Sequence, residues 1–210
     1  MRIYVYGGGN VLKTSSNVAR KPPNNVVILV GFMGAGKSSV GQVLGQRLNW
    51  PFADLDDLIE AQERRLVAEI FRDSGEAGFR RAEHAALKQA IGELRGGGRK
   101  IIALGGGAFV QKENAALLQA ARVPTVFLDA PVEELWQRCR TQAEANGTER
   151  PLLRSREEFR KLYETRRAGY GSATLQIQTG SRSVEAIADE IAEKLGLERT
   201  ALRTEEGEFE

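Results

Sequence analysis

Apolar residues in this 210-residue chain fall into short unbroken runs separated by longer stretches of helical period. The runs VVILV at Val26–Val30, IIAL at 101–104 and TVFLD at Thr125–Asp129 are continuous rather than alternating. That is the pattern of parallel strands buried on both faces. WPFAD at 50–54 and LQIQ at Leu175–Gln178 read as two shorter strands. Helical spacing is predicted at 40–48, at 55–71 in two pieces parted near 62–65, and at 76–94 after a break at Ser74-Gly75. It returns at Lys112–Ala121, from Pro131 through Cys139, at 157–167, and at Val184–Leu195, where Gly196 supplies the stop. The polar segment 142–148 reads as a mobile interruption. Five strands alternating with helices predict an α/β chain: a three-layer fold around a five-stranded parallel sheet, with binding groups at the carboxyl ends of the strands.

One loop gives that layout a chemistry. GFMGAGKSS at 31–39 stands directly between the first buried strand and the first helix, the context in which G-x-x-x-x-G-K-[ST] becomes a phosphate cradle. Glycines 31, 34 and 36 let backbone amides turn inward, Lys37 brings a point charge to the outer phosphates, and the Ser38 hydroxyl suits Mg²⁺. Two carboxylates follow at the end of the second strand. A group such as Asp54 can help hold the metal, and one such as Asp56 can orient or deprotonate an acceptor hydroxyl. The alternative use is an Asx turn or helix N-cap, which Asp56 or Asp57 can serve at the same time. Arg80 and Arg81 are adjacent on a helix, so one faces a cleft and the other solvent. Gly105, Gly106 and Gly107 directly follow a buried strand and form a second place where backbone can approach a ligand.

Bulk composition narrows the picture without changing it. With 41% hydrophobic and 28% charged residues, the chain is expected to be one soluble domain. It has no apolar run long enough to span a membrane and no secretory signal pattern, so cytoplasm is the expected location. A net charge of +2 gives no reason to expect nucleic acid. The arginines are unevenly placed, however: Arg138, Arg140, Arg150, Arg154, Arg156, Arg160, Arg166 and Arg167 crowd one region, and some are expected to face an anionic ligand. The single cysteine, Cys139, is read as structural, and the single histidine, His84, as a helix-surface or packing residue. Residues 1–25 read as a disordered extension, 26–197 as the domain, and 198–210 as a disordered acidic tail.

Taken together, these motifs resemble the shikimate kinase family, small P-loop kinases that phosphorylate the 3-hydroxyl of shikimate with ATP and Mg²⁺. FADLDDLIE resembles the family's F-x-D-x-D-x-x-I-E, EIFRDSGEAGFRRAE its I-F-x-x-x-G-E-x-x-F-R-x-x-E, ALGGGAF its glycine-rich pocket segment, and RPLL at 150–153 its lid. The resemblance implies a P-loop NTPase fold with substrate-binding helices at about 55–83 and a mobile lid at about 140–158. It implies ATP contacts from Gly34, Ala35, Gly36, Lys37, Ser38, Ser39, Arg150 and, after the last strand, Arg182. Ser38 and Asp54 would serve Mg²⁺. Shikimate would meet Asp56, Arg80, Gly105, Gly106, Gly107 and Arg166, with Glu83 in support. Lys37, Asp56 and Arg150 would carry catalysis, in a monomer. The lid is longer than the family's short version, which leaves both Arg138 and Arg140 as candidates for the adenine side. Related readings are a kinase for gluconate or a nucleoside monophosphate, and a nucleotide-binding regulatory protein without transfer activity.

Overall fold

A computed structural model describes residues 25–93, 97–146 and 155–199. Among them are five strands: β1 (Val26–Val30), β2 (Phe52–Asp54), β3 (Lys100–Ala103), β4 (Thr125–Asp129) and β5 (Leu175–Gln178). The helices are α1 (Lys37–Leu48), α2 (Leu55–Glu63), α3 (Val67–Glu93), α4 (Lys112–Ala121), α5 (Val132–Asn146), α6 (Arg156–Tyr170) and α7 (Val184–Leu195). All strand pairings are parallel, in the order β2-β3-β1-β4-β5. This is the architecture that the continuous apolar runs predict. Every residue of β1 and of β4 is buried, because helices cover both faces of the sheet.

Strand order decides where ligands can bind. The chain leaves β1 through α1 toward β2, and leaves β3 through α4 toward β4, so two neighbouring strands send their continuations in opposite directions. A crevice opens at such a point, beyond the carboxyl ends of the strands. Here its walls are the loop after β1 and the glycine turn after β3. The ladder runs one residue past β3, with Leu104 N–H donating to Leu29 O at 2.9 Å, so both turns begin at the same level.

Several boundaries have local causes. Asp54 caps α2 by accepting from Asp56 N–H at 3.2 Å, and Arg64 in the left-handed region (φ 54°) parts α2 from α3, where the sequence predicts a break. At the expected Ser74-Gly75 interruption α3 continues through a kink, which Gly75 takes at φ 64°. The mobile interruption predicted at 142–148 is corrected up to Asn146: α5 continues that far. Gln142, Ala143, Glu144 and Ala145 are all helix-compatible, and Arg140 pairs with Glu144 one turn on at 3.0 Å. The last strand's pairing also runs on, since Thr179 N–H donates to Asp129 O at 2.7 Å.

Candidate active site

The loop after β1 is held by packing as much as by its glycines. Phe32 is fully buried and meets Phe159 and Tyr163 of α6 edge to face, with ring centroids 5.0 and 5.5 Å apart. Gly34 (φ 78°) lies directly against α5: a Cβ there would come within 2.8 Å of Leu135 O and 2.9 Å of Cys139 Sγ. That contact gives Cys139 the structural role expected of it. Gly36, at φ 90°, ends the loop as the cap residue of α1. The ammonium of Lys37 turns back into the loop and donates to Gly31 O at 3.0 Å and Phe32 O at 3.1 Å. Burial pulls its pKa down from 10.5 to about 8, against the opposing charges of Asp54 and Asp56.

The two carboxylates at the end of β2 have separate surroundings. Asp54 accepts from the Ser38 hydroxyl at 2.9 Å with Oδ2 and caps α2 with Oδ1. The cap is thus Asp54 and not Asp56 or Asp57, which the sequence offers for that role and which lie in the first turn of α2, while one Asp54 oxygen stays beside Ser38. Among the described residues no group of three or more His, Cys, Asp or Glu gathers into a metal cage. A lone carboxylate beside a serine hydroxyl fits an ion that keeps its waters and takes substrate phosphates as ligands. Asp56 is pushed the other way: burial, and after it the charge of Asp54, raise its pKa above the ordinary 3.8. Its Oδ1 is buried without a hydrogen-bond partner, so a lone pair is open to an incoming hydroxyl.

The glycine turn after β3 gathers the remaining groups, one per residue. A Cβ on Gly105 would lie 3.3 Å from Asp56 Oδ1, one on Gly106 would lie 3.6 Å from an Arg166 nitrogen, and one on Gly107 would lie 2.8 Å from an Arg80 nitrogen. Three side chains from α2, α6 and α3 therefore converge on three successive glycines. Arg80 is aimed by Glu83, which is 1% exposed and accepts from the same guanidinium nitrogen with both oxygens at 3.0 Å. Glu76 adds a contact at 3.2 Å. Burial raises the Glu83 pKa, opposed by Arg80. Arg81 is exposed, as the adjacency argument requires. The Arg166 guanidinium sits 5.9 Å from the centre of the Phe32 ring.

On the far side of the loop a cleft of about 560 Å³ is lined by Gly34, Ala35, Gly36, Arg138, Thr179 and Arg182, among others. Arg138 bridges the loop to the residue that follows β5, donating to Gly34 O at 3.4 Å and Thr179 O at 2.9 Å. Arg140 instead points away and pairs with Glu144, so of the two candidates only Arg138 lines the cleft. Arg182 is there too, held by Gln178 O at 3.0 Å and Glu190 at 2.6 Å. Arg150 and RPLL lie outside the described residues, as does nearly all of the predicted N-terminal extension and all but two residues of the predicted tail. His84 bonds to Asn114 at 2.8 Å, not to any of the groups on the glycine turn.

Three contributors carry no sequence signal. Phe32 occupies an unspecified position of the loop motif. Tyr170 donates its hydroxyl to Gly106 O, and burial raises its pKa so that it remains a donor. Asp129 is an acidic residue at the end of an apolar run, and only its neighbours in space reveal what it does.

A family model for shikimate kinase matches residues 33–196. A shikimate kinase of Cereibacter sphaeroides is 38% identical over 183 residues, 86% of this chain and 87% of its own length. One from Geobacter metallireducens is 42% identical over 168 residues, 79% of this chain and 88% of its own. The solved shikimate kinase of Acinetobacter baumannii in complex with shikimate superposes with a TM-score of 0.71 at 32% identity, over 81% of this chain and 92% of the other. A sugar kinase from Janibacter, at 15% identity and a TM-score of 0.55, shares the fold.

Proposed function

The chain belongs to the shikimate kinase family, ATP-dependent phosphotransferases, and we propose that it transfers the γ-phosphoryl group of ATP to the 3-hydroxyl of shikimate by the following division of labour. The observation that carries this reading is the convergence of Asp56, Arg166 and Arg80 on Gly105, Gly106 and Gly107. Two guanidinium groups and one carboxylate with an open lone pair suit an acceptor that bears both a carboxylate and a hydroxyl.

Arg80 and Arg166 bind the acceptor carboxylate, and the glycines let the ring lie against backbone. Asp56 Oδ1 receives the hydroxyl hydrogen; its raised pKa makes it a better base than an ordinary aspartate, provided it is ionised. The acceptor oxygen bonds to the γ-phosphorus as the bond from phosphorus to the β-phosphate oxygen breaks, and ADP leaves. Lys37 releases Gly31 O and Phe32 O to meet the phosphates, while the amides of Gly34, Ala35, Gly36, Lys37, Ser38 and Ser39 cradle them. Ser38 and Asp54 would hold Mg²⁺, which neutralises phosphate charge when bound. Arg138 and Arg182 line the cleft and would flank the nucleotide there, and Arg150 would meet its phosphates.

The test is ADP release measured with shikimate, quinate, gluconate and nucleoside monophosphates, with the product identified by mass. Turnover with shikimate in clear preference to the others is expected. Turnover with gluconate and none with shikimate would overturn the assignment, and ATP binding without transfer to any acceptor would favour a regulatory protein.

A further inference from the structure

Asp129, the last residue of β4, is 3% exposed. Its carboxylate gathers donors from two other elements. Oδ1 accepts from the Tyr163 hydroxyl at 3.1 Å. Oδ2 accepts from Arg167 at 2.9 Å, Gln176 at 3.0 Å and Gln178 at 3.3 Å. Tyr163 and Arg167 stand one turn apart on α6, and the two glutamines belong to β5. Burial and the Asp129 charge both push the Tyr163 pKa up, so its hydroxyl stays protonated as a donor.

The consequence lies with the residue between those anchors. Arg166 and Arg167 are chemically identical neighbours on one helix, and their side chains leave it about 100° apart. Nothing in their own chemistry decides which one reaches the glycine turn. A rotation of α6 by one residue would deliver Arg167 to the acceptor and turn Arg166 away. Asp129 breaks that equivalence by holding Arg167 and Tyr163, while Tyr170 on Gly106 O fixes the next turn. Asp129 is buried whereas Arg167 is half exposed, and fixing one arrangement against close alternatives is the best-attested use of such a buried charged group.

We propose that Asp129 is a positioning residue for the acceptor site: through Arg167 and Tyr163 it sets the rotation of α6 at which the Arg166 guanidinium, and not that of Arg167, faces Gly106. The proposal rests on the reading of Arg166 as an acceptor contact. Steady-state kinetics on the full chain test both, with Asp129→Asn, Arg166→Ala and the double variant. Asp129→Asn is expected to raise the KM for shikimate about tenfold, a size typical of coupled neighbours, with the KM for ATP and kcat within about twofold. In the Arg166→Ala background the same change is expected to add nothing, because the residue it positions is gone.

Arg167→Gln provides a second route should Asp129→Asn fail to fold, since Arg167 is half exposed and its loss removes the same anchor. It is expected to give the same selective rise. A parallel rise in both KM values, or a full additional loss in the double variant, would show a merely structural bracket and overturn the proposal. If Arg166→Ala leaves the KM for shikimate unchanged, the acceptor assignment of Arg166 falls first and this inference with it. If Arg166→Ala raises that KM but neither Asp129→Asn nor Arg167→Gln does, only this inference falls.

Discussion

The two halves of the crevice are built in different ways. The proposed phosphate side is nearly contiguous: one loop of nine residues at 31–39 brings the amides, the ammonium and the hydroxyl together, and packing of α5 and α6 against Gly34 and Phe32 holds it. The proposed acceptor side is assembled from α2, α3, α6 and the turn after β3, and no two of its three charged side chains come from the same helix. A contiguous site tolerates relative motion of distant elements. An assembled site depends on the rotation and spacing of every helix that contributes to it, so its failures should be selective and remote.

The largest expected effect breaks the phosphate side outright. Lys37→Met should lower kcat by about a thousandfold if, as proposed, the charge stabilises the transferring group. Because burial pulls the ammonium from 10.5 down to about 8, the unfolded chain holds more protons between those values. Stability of the unsubstituted protein should therefore rise with pH across that interval. Lys37→Met should abolish that rise and match or exceed the parent's Tm at pH 7, measured by calorimetry. A Tm well below the parent's would show that the lysine supports the fold.

Asp56→Asn should lower kcat by about 10²–10⁴-fold, the range for a positioned base. The folded state holds Asp56 more strongly protonated than the unfolded state does, so its ionised form costs stability, and stability from this group falls as pH rises through its raised pKa. The asparagine variant should consequently be more stable than the parent at pH 7. In the parent, kcat should decline as pH falls through that same raised pKa. A kcat that stays flat well below it would remove Asp56 as the base.

Arg80→Lys sharpens the contrast between the halves. It keeps a positive charge but loses the planar fork, and should raise the KM for shikimate roughly 10–100-fold, with the KM for ATP nearly unchanged. The smallest effects compare one glycine from each half. Gly107→Ala would force a methyl against the Arg80 guanidinium, and should raise the KM for shikimate several-fold with little change in Tm. Gly34→Ala meets the backbone carbonyl of Leu135 at a positive φ, and should cost about 1–3 kcal/mol of stability and weaken ATP. If both variants harmed both substrates alike, the division of the crevice into halves would be wrong.

Much of this molecule was legible because its signals are local. Continuous apolar runs gave β1, β3 and β4, the shorter WPFAD and LQIQ gave β2 and β5, and G-x-x-x-x-G-K-[ST] placed the loop after β1. The adjacency of Arg80 and Arg81 required one to face inward, and Arg80 does. The α5 boundary was misjudged because polar residues of good helix propensity look alike in a loop and on an exposed helix surface. The choice between Arg138 and Arg140 could not be made from sequence, since two residues of separation leaves their facing undetermined until α5 is seated against the loop.

By itself the sequence determined the parallel α/β layout, the phosphate loop and the family resemblance. Each is written in neighbouring residues or short spacings, where backbone sterics and hydrophobic period act over one or two turns. Only the tertiary structure decided that three glycines would each receive a different side chain, that Arg138 would line the cleft, and that Asp129 would hold Arg167. Those outcomes depend on helix rotations set by packing across the sheet, among residues far apart in the chain, and identical side chains differ there only in what the fold brings opposite them.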